Sequence, residues 1–182
     1  MIGWILTGVG VFVGGTFVYY YNKFVSLDNG IDNALAQIDV QLKKRADLVP
    51  NLLASVKGYA KHEKSIITEV TKARTALLSA KNMEGKVKAG DALQNSLKSI
   101  FALAEAYPQL RANENFLQLQ QELSAIEDKV AYSRQYYNDA ILDYNNSVEM
   151  FPGALFAKLY GKVEKQALKI TAAEKAVPKV EF

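Results

Sequence analysis

The 20-residue run Ile2–Tyr21 contains no Asp, Glu, Lys, Arg or His. At the rise of an α-helix, ~20 residues cross a hydrocarbon core of ~30 Å. The run therefore predicts a transmembrane helix, with the rest of the chain tethered to a bilayer. Trp4 lies near one end and Tyr19, Tyr20 and Tyr21 at the other, where aromatic belts form at the two interfaces. A secretory signal needs basic residues before its apolar stretch and a small-residue cleavage site after it. No Lys or Arg precedes this run and no A-x-A follows it, so a retained single-pass anchor is expected. Gly10 and Gly14 form a G-x-x-x-G, which lets a second membrane helix approach closely. Glycine is also simply common in membrane helices, so the motif is a weak sign of a homo-oligomer. Lys23 follows the anchor directly, and Lys43, Lys44 and Arg45 come later. By the positive-inside rule this bias leans towards a cytoplasmic C-terminal domain.

The remainder is rich in Ala, Leu, Lys, Gln and Glu, all good helix formers, and is long enough to bury a core without disulfides or metals. There is no cysteine, which removes thiol nucleophiles and Cys-ligated metals. A net charge of +3 is far from the dense basic stripe that nucleic acid requires, so no nucleic-acid partner is expected.

From Ile31 the apolar positions step by four and three. Ile31, Leu35, Ile38, Leu42, Val49, Leu52, Val56 and Tyr59 fall on one seam, interrupted by Arg45, which predicts a coiled-coil-like helix packed along its length. Pro50 is expected to kink it or start a new segment. A second helix is predicted over 63–81, with Ile66, Val70, Ala73 and Leu77 inward. Asn82 to Gly90 reads as a loop with Gly85 and Gly90 as breakers. A third helix fits 91–107, with Leu93, Leu97, Ile100, Ala104 and Tyr107 inward. A long fourth runs from Asn113 to Glu149 along Phe116, Leu119, Leu123, Ile126, Val130, Ser133, Tyr137, Ala140, Tyr144 and Ser147. The fold class is all-α: an N-terminal transmembrane helix followed by an antiparallel four-helix bundle with long coiled-coil-like helices. The expected organisation is 1–22 anchor, 23–150 helical bundle and 151–182 C-terminal amphipathic segment with a flexible tail.

No pattern for a cofactor, a metal or a catalytic centre emerges. His62 is the single histidine, and a di-iron bundle would need Glu-x-x-His pairs, whereas residue 59 is Tyr. A turn or cap role for His62 is favoured over catalysis, and no enzymatic activity is expected. If the first and fourth helices are antiparallel neighbours with Leu27 near Val148, Asp39 comes near Arg134 and Arg45 near Glu127. Half-buried ion pairs of this kind would fix the register.

After Pro152 and Gly153 the stretch 154–170 is amphipathic. Leu155, Phe156, Leu159, Tyr160, Val163, Ala167 and Ile170 gather on one face of a helix, and Lys158, Lys162, Lys165 and Lys169 on the other. Apolar residues opposite lysines suit a helix lying in the lipid interface. The membrane-interface set is therefore Trp4, Tyr19, Tyr20, Tyr21, Phe156, Lys158, Leu159 and Lys162. A helix packed back on the bundle is the alternative.

The residues Ala36-Gln37-Ile38-Asp39-Val40-Gln41-Leu42-Lys43-Lys44-Arg45, Asp47-Leu48-Val49-Pro50-Asn51-Leu52 and Val56-Lys57-Gly58-Tyr59-Ala60-Lys61-His62-Glu63 strongly resemble the signature of the LemA family. The likeness continues through Tyr107-Pro108, Ala112-Asn113, Asn115-Phe116, Leu119-Gln120, Glu122-Leu123, Arg134, Tyr137-Asn138, Tyr144-Asn145 and Phe151-Pro152. Leu35, where the family often carries Trp, and Ala46 depart from it. The resemblance implies a bacterial membrane protein with a four-helix-bundle domain and no established enzymatic activity, with relatives in magnetosome membranes. The expected role is a scaffold or adaptor in the bacterial cytoplasmic (inner) membrane. Its partners would be the lipid bilayer and either further copies of itself or other membrane proteins. A membrane-shaping or lipid-organising protein is the second reading.

Overall fold

The computed structural model describes residues 1–60 and 63–168. The turn role expected of His62 and the tail beyond residue 168 lie outside the described residues. Six helices follow one another: α1 (Ile2–Tyr59), α2 (Lys64–Ser79), α3 (Met83–Glu105), α4 (Pro108–Arg111), α5 (Glu114–Glu149) and α6 (Gly153–Leu159). The described residues contain no strand. They divide into two compact units. One holds Met1–Ala34 and the chain from Arg134 onward; the other is Leu35–Ser133.

In the unit Leu35–Ser133, the core forms where the apolar periodicity placed it. Ile38, Leu42, Val49, Leu52 and Val56 of α1 are buried, as are Leu93, Leu97 and Ile100 of α3 and Phe116, Leu123 and Val130 of α5. Tyr59, expected on the seam, is instead 40% exposed, and its hydroxyl accepts a hydrogen bond from Asn113 Nδ2 at 3.2 Å. Asn113 also caps α5, its Oδ1 accepting from Phe116 N at 3.0 Å, which satisfies one of the orphan donors of the first turn.

One of the two alternatives at Pro50 is removed here and one loop expectation fails, each for a local reason. Pro50 does not start a new segment, because α1 runs through it. Proline has no N–H to give the carbonyl four residues back, so Ala46 O loses its helical donor. Arg74 of α2 supplies a replacement, donating Nε–H to Ala46 O at 2.8 Å. Ala46 is fully buried, where an unsatisfied carbonyl would be costly. The stretch from Met83 to Gly90 is also not a loop; it forms the first two turns of α3. Asn82 caps it, with Oδ1 accepting from Gly85 N at 2.8 Å. Gly90 is present for close packing rather than for a turn. A Cβ there would come within 2.7 Å of Leu42 Cδ2.

In the other unit, α1 up to Ala34, α5 from Arg134, and α6 pack together. Phe24, Ile31 and Ala34 of α1, Ile141 and Tyr144 of α5, and Ala157 of α6 are buried. The Phe24 and Tyr144 rings meet edge to face at 6.4 Å. The apolar run at the start of α1 is exposed almost throughout, and it is long and apolar enough to cross a membrane.

Candidate functional site at the end of the apolar run

The segment expected as one amphipathic helix over 154–170 divides in two. α6 ends at Leu159, and Gly161 turns the chain with φ +64, a conformation that costs glycine little. Residues 162–168 then run without helix back along α5. Two asparagines of α5 hold this strap by its backbone. Asn145 accepts from Lys165 N with Oδ1 and donates Nδ2–H to Lys165 O, both at 2.9 Å. Asn138 does the same with Leu168, at 2.9 Å and 3.2 Å. The spacing is self-consistent: seven helical residues rise ~10.5 Å and three extended residues span ~10 Å. Each side-chain amide stands in for the neighbouring strand that the strap lacks.

The strap lysines turn inward. Lys162 Nζ and Lys165 Nζ lie 2.5 and 2.6 Å from the two carboxylate oxygens of Asp28 on α1. Lys165 Nζ also sits 4.8 Å from the centre of the Tyr144 ring, within cation–π range. Burial by itself would raise the Asp28 carboxyl, but the hydrogen bonds and charges of the two lysines outweigh it and hold it below its ordinary value. The hydrogen bond to Asp28 correspondingly raises Lys162. Lys162, expected at the lipid interface, is thus committed to an internal ion pair. The polar helical face expected of it and Lys165 does not exist, because no helix runs through them.

α6 packs against the last turn of the apolar run. The Phe156 ring stacks on Tyr20 at 4.6 Å with 5° between planes and meets Phe17 edge-on at 5.9 Å. Tyr160 meets Phe17 at 5.1 Å and Tyr21 at 5.7 Å, and its hydroxyl donates to Phe17 O at 2.7 Å. Gly153 makes the tight approach possible, since a Cβ there would come within 2.2 Å of Ser147 O. Phe156, expected to face lipid, faces the apolar run instead. The residues turned away from α1 are apolar: Phe151 is 82% exposed, Leu155 64% and Leu159 62%, spaced four apart, with exposed Lys158 among them. The apolar run and α6 are therefore not separate in space; Phe17 and Tyr20 pack against α6.

A cleft of about 480 Å³ opens beside α6. Tyr20, Lys23 and Leu27 line one wall, Asp143, Asn146, Ser147 and Met150 of α5 the other, and Phe151 and Gly153 close one end. Gly10 and Gly14 lie on an open surface, with nothing within 4 Å of a Cβ built at either. Trp4, Tyr19 and Tyr21 are exposed.

Three of the four charges expected to pair across the first and last long helices meet groups that the expected register did not name. Asp39 is bound by Lys86 at 2.5 Å. Glu127 accepts from Gln94 and lies 3.8 Å from Lys98. Arg45 donates Nη1–H to Gly90 O at 3.3 Å. Arg45 and Arg134 are buried, at 2% and 7% exposure, more deeply than the half-buried pairs anticipated. No group of His, Cys, Asp or Glu suited to a metal ion occurs among the described residues.

The architecture defines an all-helical protein with one N-terminal helix fit to span a membrane. A family model described as the LemA family matches residues 34–182, and the chain belongs to that family. It is 28% identical over 145 residues to Protein LemA of Metamycoplasma hominis, covering 75% of this chain and 65% of that protein. It is 23% identical over 172 residues to Magnetosome protein MamQ 2 of Paramagnetospirillum magneticum, covering 80% of this chain and 63% of that protein. The chain thus spans a little under two thirds of the length of these relatives.

Proposed function

We propose that this chain is a membrane-anchored helical scaffold, without catalytic activity of its own, that binds other membrane proteins or further copies of itself at the bilayer surface. The observation that carries the reading is the brace between α6 and the end of the apolar run. If Ile2–Tyr21 spans the bilayer, Phe17 lies about 6 Å inside its end, and α6, which touches Phe17, lies in the interface. Its outward residues Leu155 and Leu159, with Phe151 just before it, then meet acyl chains, while Lys158 reaches headgroups. An anchor braced in this way holds α6 and the adjoining end of α5 at a fixed angle to the membrane, which a scaffold requires and a flexible tether does not give. The magnetosome relatives support a role at membranes, and Lys23 after the anchor supports a cytoplasmic placement in the inner membrane of a bacterium.

The open Gly10/Gly14 face is where a second copy would seat. The exposed α6 stripe also favours the second reading, a lipid-organising protein, because apolar side chains inserted into one leaflet spread its headgroups. Crosslinking in native membranes, with identification of the attached chains, tests the scaffold reading. Recurrent membrane-protein partners or homo-oligomers are expected. A chain that crosslinks only to lipid, and that remodels liposomes when purified, would replace the first reading with the second.

A further inference from the structure

The cleft beside α6 sits where the apolar run ends, and its walls are unlike those of a helix groove left for water. Lys23 and Asp143 bring opposite charges to it, from α1 and α5. Among the described residues neither forms a salt bridge, with the other or with any third group. Asn146 and Ser147 add hydrogen-bonding groups, and Tyr20 lies beneath Lys23, whose Nζ is 5.9 Å from the ring centre. Met150 and Phe151, 64% and 82% exposed, form an apolar rim on the side of α6. The volume lies in the range of small-molecule sites.

We infer that this cleft binds the headgroup of an aminophospholipid, a phosphodiester bearing a primary ammonium. The inference rests on the seating of α6 in the interface proposed above, because that seating puts the cleft at headgroup depth. Lys23 takes the phosphate oxygens, and Asp143 takes the ammonium through charge-assisted hydrogen bonds. The acyl chains leave over Met150 and Phe151 into the bilayer. An anionic headgroup without an amine gives Asp143 nothing to bind. A choline headgroup has no N–H to donate.

The test uses the full chain in nanodiscs of phosphatidylethanolamine, phosphatidylcholine and phosphatidylglycerol in equal parts. It is then released into mild detergent, and the retained lipids are counted by native mass spectrometry. Phosphatidylethanolamine should be retained roughly tenfold over phosphatidylcholine, the worth of a charge-assisted hydrogen bond. Lys23→Gln should lose retention of all three lipids. Asp143→Asn should erase the preference for the ethanolamine lipid, and Asp143→Lys should turn it towards phosphatidylglycerol. Asp143 is exposed, so these variants keep the fold. Soluble glycerophosphoethanolamine should not displace the lipid; displacement would assign the cleft to a free phosphodiester instead. Equal retention of all lipids, or an ethanolamine preference that survives Asp143→Asn, overturns the site. A spin label at Leu155 distinguishes loss of the headgroup site from loss of the seating of α6. Failure of the lipid preference with the label inside the bilayer removes the headgroup site alone, whereas a label in water removes the seating with it.

Discussion

Replacing Arg74 with Met should destabilise the protein, and the loss should depend on what occupies position 50. Arg74 Nε–H is the donor seen on Ala46 O, the carbonyl that Pro50 deprives of its helical partner. Met keeps much of the side-chain packing and removes the donor. A hydrogen bond from a charged group contributes about 1.5–3 kcal/mol, and the abandoned carbonyl belongs to a fully buried residue, so about 2 kcal/mol is expected. In a Pro50→Ala background, the new N–H at position 50 can bond Ala46 O itself. The cost of Arg74→Met should then fall by about 1 kcal/mol or more, a coupling that a double-mutant cycle reads directly. The assay is thermal unfolding of the full chain in detergent, followed by circular dichroism. For a chain of this size ~2 kcal/mol corresponds to a fall of roughly 4–8 °C in midpoint. Hydrogen exchange over residues 46–54 should show the same dependence. Equal costs in the two backgrounds would mean that Arg74 acts elsewhere and that α1 passes Pro50 without its help.

Three further outcomes follow from the strap and α6. Asn145→Ala removes both bonds to Lys165 and should cost about 1–3 kcal/mol, seen as faster amide exchange and earlier proteolysis at residues 162–168, while exchange in α3 stays unchanged. The Asp28 clamp has a pH window. Because the folded carboxyl is held below its ordinary value, its contribution is present above about pH 4 and is lost as pH falls through the depressed value. Lys162 is raised, so its contribution is complete below about pH 10 and is lost as pH climbs through the raised value; protection of the strap amides, taken relative to their intrinsic exchange rate at each pH, should be greatest between those limits, and flat protection would refute the clamp. Gly153→Ala must push α6 away from Ser147 O and should weaken the Phe156–Tyr20 stack, measured as faster amide exchange across residues 153–160 than in the unsubstituted chain.

The parts of the fold governed by periodicity were legible from residue types. The charge-free run, the seam of α1 and the seam of α5 each repeat one requirement many times over, so a single exception such as Arg45 does not obscure them. What escaped depends on one contact each. Gly90 looks like a breaker until Leu42 is known to lie against it, and the passage of α1 through Pro50 depends on Arg74, a residue 24 positions away. The strap was misread because Lys158, Lys162, Lys165 and Lys169 have helical spacing, yet Asp28 is a stronger partner for two of them than water. A signal for it was present: Asn138 and Asn145 lie two turns apart on a helix that otherwise places small or apolar residues near its seam. Residue types put Leu159 and Lys158 on opposite faces of one long helix and turn Phe156 to lipid; they do not reveal the cleft, whose walls come from segments more than a hundred residues apart.

The most direct measurement of the account is the depth of α6 in the bilayer. Nitroxide labels placed singly at Leu155 and Leu159, and at Val40 on α1 as an aqueous reference, would be read by power saturation with oxygen and a water-soluble nickel chelate in liposomes. Oxygen-accessible, nickel-protected labels are expected at 155 and 159, at a depth of roughly 5–10 Å below the headgroups, with a nickel-accessible label at 40. Labels at 155 and 159 as open to nickel as that at 40 would contradict it, leaving the anchor as the chain's one attachment to the membrane.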